Sequence, residues 1–291
     1  MKTSLFLWIC LGALDLCLAI QLSMLRPHLQ LHVLDVGQGD AILLTTPDQH
    51  HVLVDGGPGQ KVLEELGEVL PLGFEEIDLL VLTHPHADHM EGLIPVLQRF
   101  KVKAILMTFP EEDGKTYEAF LSGTVGIPIY NAEAEMDFKL GNVVLNVLYP
   151  FESISGESLE NLNNASPVIR VETERVSVLL TGDAEQEVEA ELLAAGVDVS
   201  ADILKAGHHG SRTSSTRPFL EAVDPEIMII SCGTDNDYGH PHKETLQKAE
   251  DLGMEVLRTD KDGRISLIFD QASWTRSILA PRLRSFSSKP S

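Results

Sequence analysis

The sequence has only three cysteines in 291 residues, too few for a disulfide framework. Cys10 and Cys17 lie in the apolar amino-terminal segment, and Cys232 follows the apolar run at residues 227–231. We therefore predict that Cys232 is a buried, unreactive thiol rather than a catalytic nucleophile. A chain of this length with 43% hydrophobic residues can bury a substantial core without such bridges.

Basic residues are also scarce. The chain has 22 Lys and Arg against 44 Asp and Glu, which gives a formal net charge of −22. An acidic surface of this kind repels polyanions at long range and helps solubility. The composition therefore counts against tight, nonspecific binding of DNA.

The longest apolar run is at the amino terminus, where Lys2 precedes a stretch from Leu5 to Ile20 that is broken only by Asp15. With residues 21–25 this stretch reaches the roughly 20 residues that span a bilayer. We predict that residues 1–25 form an uncleaved membrane anchor with the amino terminus in the cytoplasm, which places the body outside. The alternative is a cleaved signal segment and a secreted protein, although no clean small-x-small cleavage site follows the run.

Residues 29–270 are predicted to form one domain, because no linker divides them. Each half of this region begins with strands and continues with alternating strand–helix units. The pattern predicts an α/β sandwich of two mixed sheets with helices outside. Residues 271–291 are rich in Ser, Pro and Arg without apolar periodicity, so we predict a disordered tail.

Three imidazoles and a carboxylate fall within six positions directly after the apolar run at residues 78–82. The segment reads Thr83-His84-Pro85-His86-Ala87-Asp88-His89. Imidazole and carboxylate are ligands that zinc, manganese and iron accept. A solvated His-rich loop is the alternative, but a compact mixed set of this kind after a buried strand favours a metal site.

This spacing resembles the signature loop of the metallo-β-lactamase superfamily at all four ligand positions. Five further blocks resemble the hydrolase domain of ComEC-type DNA-uptake proteins: residues 34–41 (LDVGQGDA), 54–57 (VDGG), 181–184 (TGDA), 204–211 (LKAGHHGS) and 238–242 (YGHPH). The resemblance runs from about Leu29 to about Phe269. It implies an αββα sandwich, here expected as a stand-alone domain without the channel helices of those proteins.

The resemblance also implies two divalent metal ions, zinc or manganese, bound along one edge of the sandwich. The positions it assigns to them are His84 and His86 on the first ion, Asp88, His89 and one of His208 and His209 on the second, and Asp183 bridging both. We favour His209 as the ligand, with His208 behind it. Asp88 is the candidate catalytic residue within this set.

One family position departs from the pattern. The superfamily commonly supplies another histidine to the first ion, but no histidine occurs between Met90 and Gly207. The corresponding region reads Asn-Leu-Asn-Asn-Ala-Ser at residues 161–166. We expect a first site that is weaker, filled by water, or closed by an amide oxygen of Asn163 or Asn164. Oxygen ligands shift the preference from zinc toward manganese.

Asp55 and Asp40 are candidate supporting carboxylates. Asp55 ends a strand, and a carboxylate there can orient a ligand histidine through its other ring nitrogen; an aspartate in a glycine turn is the alternative. Asp35 and Asp40 flank Gly37-Gln38-Gly39, whose glycines permit close backbone approach. We expect these two carboxylates at the substrate rim.

Three more kinds of residue complete the candidate site. His240 is the second candidate catalytic residue, as a proton donor or phosphate contact, and a solvated capping loop is its alternative. Lys205 and Lys243 could bind an anionic substrate or simply be solvated. Ser211 is expected to cap a loop rather than act as a nucleophile, because metal-activated water needs no separate base.

Two metal ions suit the hydrolysis of a phosphodiester or a related ester by activated water. The leading hypothesis is a metal-dependent phosphodiesterase or nuclease, with single-stranded DNA or another phosphodiester as substrate and the membrane as a partner through residues 1–25. The first alternative is an esterase of phosphocholine type or another small-ester hydrolase. The second is a non-catalytic binding module that keeps metal for stability.

Overall fold

Two β-sheets form the centre of the protein in the computed structural model, which describes residues 28–269 and the short strand at 274–276. The strands are β1 (Leu29–Val33), β2 (Ile42–Thr45), β3 (His51–Val54), β4 (Glu76–Ile77), β5 (Leu79–Leu82), β6 (Lys101–Val102), β7 (Ile105–Met107), β8 (Ile129–Asn131), β9 (Asp137–Leu140), β10 (Val143–Tyr149), β11 (Val168–Glu172), β12 (Ser177–Leu180), β13 (Ile203–Lys205), β14 (Ile227–Ile230), β15 (Glu255–Arg258), β16 (Ile265–Phe269) and β17 (Trp274–Arg276).

Helices connect most of the parallel strands. They are α1 (Lys61–Val69), α2 (Ala87–Met90), α3 (Leu93–Arg99), α4 (Lys115–Gly123), α5 (Gln186–Ala194), α6 (Arg217–Val223), α7 (Lys243–Asp251) and α8 (Thr259–Asp262). A short 3₁₀ turn at Leu162–Ala165 and a tight turn with left-handed backbone angles at Gly207–Gly210 lie in the loops of the second half.

The two sheets have the same plan. The first has the order β17-β16-β1-β2-β3-β5-β7-β8, and the second has the order β15-β14-β13-β12-β11-β10-β9. One side of each sheet is antiparallel. The other side is parallel, from β3 to β8 in the first sheet and from β12 to β15 in the second, and helices connect most of the strands there. The predicted α/β sandwich of two mixed sheets is therefore confirmed.

Three apolar clusters hold the layers together. One contains side chains of both sheets and fills the space between them. A second joins the first sheet to α1, α3 and α4, and a third joins the second sheet to α5, α6 and α7. Each fully buried aliphatic side chain contributes roughly 1.5–3 kcal/mol of transfer free energy. The layers therefore follow the order helix, sheet, sheet, helix.

The parallel strands explain where polar groups collect. Five of these strands are mostly apolar and buried, so most of their side chains pack in the hydrophobic core: β3, β5, β12, β13 and β14. The residues directly after them cannot pair within the sheets and project from one edge of the sandwich. Open parallel sheets bind ligands at the carboxyl ends of their strands, and the candidate ligands follow these strands here.

The segment that follows the first histidines of the ligand loop forms two helices, α2 and α3, rather than one continuous helix. The break is at Gly92, where an added Cβ would lie 1.9 Å from the carbonyl oxygen of Gly56. This close approach packs the start of α3 against the turn after β3 and ties the ligand loop to it.

The two ends of the chain lie largely outside the described residues, and so do the predicted anchor at 1–25 and most of the predicted tail at 271–291. Within the range of that tail, β17 pairs antiparallel with β16. No helix among residues 28–269 is long and apolar enough to span a bilayer.

Candidate metal centre

The loop after β5 brings its first two histidines together. His84 is buried and His86 is partly exposed, and their Nε2 and Nδ1 atoms lie 2.9 Å apart. Nε2 of His84 also lies 3.9 Å from Oδ2 of Asp183. Burial, followed by the charge of His89, lowers the pKa of His84 well below its usual range. The neutral imidazole is the form that binds metal.

A second group of donors meets at the same carboxylate. Nε2 of His89 and Nε2 of His209 lie 3.3 Å apart, and each lies 3.2 Å from Oδ2 of Asp183. Asp88, the residue directly before His89 in the ligand loop, places its Oδ2 3.4 Å from Nε2 of His209. Asp183 therefore lies between the His84–His86 pair and the His89–His209 pair.

The outer nitrogens of both buried histidines are held by the protein. Nδ1 of His89 lies 2.8 Å from Oδ2 of Asp55, and Asp55 accepts hydrogen bonds from the backbone N–H and the hydroxyl of Thr83. Nδ1 of His209 lies 3.0 Å from the carbonyl oxygen of Ser231. Both Nε2 atoms are thereby directed at Asp183, as in histidines that ligate metals.

The structure distinguishes the two adjacent histidines. Both have left-handed backbone angles, φ 45° at His208 and 54° at His209, which non-glycine residues rarely adopt. This turn sends the His209 ring inward, where it is 1% exposed, and sends His208 toward Glu185, whose Oε1 lies 3.0 Å from Nδ1 of His208. His209 therefore joins the cluster, and His208 lies beside it.

These donors fit a divalent metal ion. Asp40, His89, Asp183 and His209 each place one ligand atom within 4.8 Å of the others. Asp40, however, lies on the Nδ1 side of His209, whereas Asp88 faces Nε2, the atom that points at Asp183. The geometry therefore favours Asp88 over Asp40 as a ligand. Oδ1 of Asp183 has no hydrogen-bond partner among the described residues.

The electrostatics of the cluster also favour a cation. Burial opposes the charged form of His89, but Asp183 and Asp55 outweigh it and raise the pKa of His89 to about 10. Burial also disfavours the charge of Asp183, yet His209 and His89 hold the pKa of that carboxyl well below its usual range. The carboxylates thus draw positive charge into this buried space, as protons or as metal.

Asp40 is not at the substrate rim, and Lys205 is neither solvated nor open to an anionic substrate, which corrects both expectations. Each is 1% exposed, and the Nζ atom of Lys205 forms an ion pair with Oδ2 of Asp40. Nζ also donates to the carbonyl oxygen of Gly182 at 2.8 Å and lies 3.6 Å from Oδ1 of Asp183. The pair lies behind the metal ligands, so Lys205 cannot reach a substrate. Asp35, in contrast, is partly exposed and pairs with Lys61.

The D-V-G-Q-G-D block packs directly against the ligand loop. Gly39 has φ 125°, and an added Cβ there would lie 2.0 Å from the carbonyl oxygen of Asp88. That same oxygen accepts a hydrogen bond from the backbone N–H of Asp40 at 3.2 Å. Ser231 donates its hydroxyl to the carbonyl oxygen of Gly39 at 2.7 Å. The glycine therefore lets this block fix the backbone of Asp88.

Asn163 and Asn164, which lie where the superfamily commonly supplies another histidine to the first ion, have different hydrogen-bond partners. Asn163 lines the site cavity and donates to Oε1 of Glu185 at 2.8 Å, while its buried Oδ1 has no partner among the described residues. Asn164 accepts from the backbone N–H of Glu185 at 3.0 Å and donates to Glu187. Of the two asparagines, Asn163 is thus the one that lines the cavity and has an unpaired side-chain oxygen among the described residues.

An open cavity of about 330 Å³ lies over these donors. Its lining residues are Gln38, His86, Ala87, Asp88, Asn163, Asp183, His208, His209, Tyr238 and His240. Burial, followed by the charges of His209 and His208, lowers the pKa of His240 to about 4. The imidazole of His240 is therefore neutral at pH 7, and its buried Nδ1 has no hydrogen-bond partner among the described residues.

Two other candidates are not part of the cavity. The hydroxyl of Ser211 is 2.9 Å from that of Thr213, and its carbonyl oxygen accepts from Thr245, so it organises the loop after β13. Lys243 is exposed at the start of α7 and does not line the cavity.

Several residues that contact the ligands were not predicted from the sequence. Thr83 supports Asp55, and Ser166 accepts a hydrogen bond from the backbone N–H of Asp183 at 3.1 Å while its Oγ lies 3.3 Å from Nδ1 of His84. Glu185 contacts both Asn163 and His208. Thr83 and Glu185 adjoin quoted motifs, which is the signal that could have suggested them.

Comparison with known proteins agrees with this geometry. The family model of the metallo-β-lactamase superfamily matches residues 34–234, and the chain belongs to that superfamily. With the donor cluster at the strand ends, this makes it a metal-dependent hydrolase. The fold is also that of CmlA, a diiron β-hydroxylase from Streptomyces venezuelae, with a TM-score of 0.56 and 18% identity over 83% of this chain and 54% of that one.

Two curated relatives make the comparison more specific than the superfamily. The chain is 32% identical to ComE operon protein 3 of Bacillus subtilis, over 87% of this chain and 34% of that protein. It is 29% identical to recombination protein 2 of Haemophilus influenzae, over 89% of this chain and 32% of that protein. The chain spans about a third of the length of these relatives. The predicted resemblance to ComEC-type hydrolase domains is therefore confirmed.

Proposed function

We propose that the protein is a metal-dependent phosphodiesterase that cleaves single-stranded nucleic acid outside the cytoplasm, held to the membrane by residues 1–25. The observation that carries this proposal is the position of Asp183 between two pairs of histidines at the floor of an open cavity. Paired metal sites of this kind suit the in-line displacement at a phosphodiester. The name of one relative, recombination protein 2, supports a nucleic-acid substrate.

The residues of the site have different proposed roles: they bind the metal ions, position the ligands or contact the substrate. His84, His86 and Asp183 would hold one ion, and Asp88, His89, His209 and Asp183 the other, with zinc or manganese as the proposed metals. Bound there, the ions would supply Lewis acidity and a water nucleophile at neutral pH. Asp55 and the Ser231 carbonyl hold the imidazoles in place. Neutral His240, which lines the same cavity as Asp88, is proposed to hydrogen-bond the substrate phosphate.

A phosphocholine-type or other small-ester hydrolase is the second candidate. The net charge of −22 favours it, because an acidic surface tolerates a small ester better than a long polyanion. A non-catalytic binding module is less consistent with the site, since four of the proposed metal ligands line an open cavity: His86, Asp88, Asp183 and His209.

The test is a substrate panel for the full chain with added manganese or zinc. It compares a single-stranded oligonucleotide, bis-(p-nitrophenyl) phosphate and a phosphocholine ester. We expect turnover of the first two. Turnover of the phosphocholine ester alone would establish the second candidate. If folded, metal-loaded protein hydrolyses none of the three substrates, the non-catalytic binding module would be the remaining explanation.

The first metal site is expected to be weaker than the second, because an amide oxygen or water replaces a histidine there. Calorimetric titration of metal-stripped protein should show two steps, and manganese should support turnover at least as well as zinc. Asn163→His should tighten the weak step by at least about ten-fold, since imidazole is a stronger ligand than an amide for these ions. Asn164→His is the matched control, because Asn164 faces Glu185 and Glu187. Two equally tight sites in the wild type would contradict this assignment.

Cys232→Ser is expected to leave turnover within a few-fold of the wild type. The thiol is fully buried, and burial, followed by the charge of Asp260, raises the pKa of Cys232 to about 12. A protonated thiol in this setting is a poor nucleophile. Steady-state rates and metal content of the variant provide the check, and complete loss of turnover with stability and metal retained would show that the thiol participates.

A further inference from the structure

Tyr238 forms an exposed aromatic wall of the site cavity. Its side chain is 65% exposed, and of the large apolar side chains that the structure shows exposed among residues 28–269, only Tyr238 lines the cavity. Its ring is stacked on that of His240, with 5.7 Å between the centroids and 23° between the planes. One face of the tyrosine is therefore supported from behind, and the other faces solvent at the mouth.

The loop that carries Tyr238 is fixed in place. Oδ1 of Asn236 accepts from the backbone N–H of His240 at 2.9 Å, and its Nδ2 donates to the carbonyl oxygens of His240 and of Gly233. The His240 ring in turn contacts the rings of His208 and His242. A supported ring in a fixed loop needs little ordering when a planar ligand stacks on it.

We infer that Tyr238 is a stacking platform for an unpaired base of a single-stranded nucleic acid, placed beside the phosphate that enters the metal centre. This inference rests on the proposed phosphodiesterase function and specifies how the substrate is held. A base in a duplex is already stacked on its neighbours, so an exposed ring selects single strands. A quaternary ammonium group prefers a cage of several aromatic rings, whereas the cavity lining contains one tyrosine.

Stacking also explains how so acidic a protein can hold a polyanion. The chain's net charge of −22 works against binding through phosphates, but an uncharged ring face is indifferent to the phosphate charge. The base would thus supply the affinity that a basic groove supplies in other single-strand binders. The salt dependence of binding should therefore be shallow.

The experiment compares two substrates of equal length and charge, an oligothymidylate and an oligonucleotide with abasic sites in place of the bases. Full-length wild type should show a lower KM for the first. Tyr238→Ala should raise the KM for oligothymidylate about ten-fold with kcat little changed, so that the KM values of the two substrates converge. The aromatic replacement Tyr238→Phe should rescue most of that loss. Tyr130→Ala is the matched control, because Tyr130 is 44% exposed and does not line the cavity.

The outcomes separate this inference from the proposed function. An unchanged KM for oligothymidylate in folded, metal-loaded Tyr238→Ala, with wild type active, would overturn the platform and leave the phosphodiesterase standing. A KM change limited to a phosphocholine ester would also overturn it. If no substrate is hydrolysed, fluorescence anisotropy with labelled oligothymidylate still decides the matter: weaker binding by Tyr238→Ala supports the platform, and equal binding rejects it.

Discussion

Asp183→Asn is expected to remove nearly all hydrolysis while the protein stays folded. Oδ2 of Asp183 is the point that His89, His209 and His84 all face, at 3.2, 3.2 and 3.9 Å. The amide keeps the shape of the side chain but loses the negative charge that the two proposed ions would share. Metal charge stabilisation amounts to several kcal/mol, so kcat/KM should fall by at least about a thousand-fold. Metal content and kcat/KM of the purified variant are the measurements.

Asp202→Asn is the matched control for this change. Asp202 precedes β13, at the opposite end of the same sheet from the metal centre, and its carboxylate accepts hydrogen bonds from the backbone N–H and hydroxyl of Ser177. This variant should lose some stability but bind metal normally. Full activity and full metal content in Asp183→Asn would show that the carboxylate does not bridge the ions.

Local sequence signals predicted much of the site. His84, His86, Asp88 and His89 lie within six positions, and a strand followed by such a loop can be recognised without any tertiary information. The apolar strands and the repeated strand–helix order likewise predicted two mixed sheets. These features depend on neighbours in the chain, which is why the sequence shows them.

Other features depend on contacts between distant residues, and these the sequence did not reveal. Lys205 was a plausible substrate contact, but it is buried, and its ammonium group forms an ion pair with Asp40, 165 positions earlier in the chain. Two left-handed backbone angles, at His208 and His209, determine that the ring of His209 rather than that of His208 turns inward. Tyr238 looked like part of a loop motif, and only its stacking on His240 over the cavity suggests a role.

The buried ion pair behind the ligands has a structural consequence. Asp40, Asp55 and Asp183 are all buried, and Lys205 is a permanent cation among them, 1% exposed. Burial opposes its charge, but Asp40 and Asp183 outweigh burial and raise the pKa of Lys205 above its usual value. Its charge therefore offsets carboxylates that would otherwise repel one another in a space closed to water.

Lys205→Met should accordingly cost about 3–5 kcal/mol of unfolding free energy in the metal-free protein, because Asp40 remains buried without its partner. Asp40→Asn should cost less, since Lys205 keeps Gly182 and Asp183 as partners. The double variant Lys205→Met/Asp40→Asn should be more stable than Lys205→Met alone. Urea unfolding of the three variants measures this coupling. Lys103→Met, which breaks an exposed pair, is the control and should change little.

Adding metal to these variants distinguishes an electrostatic cause of the stability loss from a packing cause. A divalent ion bound near Asp183 would supply positive charge to the same carboxylates, so it should stabilise Lys205→Met more than it stabilises the wild type. A loss caused only by a cavity or by misplaced side chains would not respond in this way. If the double variant is as unstable as Lys205→Met and metal stabilises all proteins equally, the lysine acts through packing and the electrostatic account is wrong.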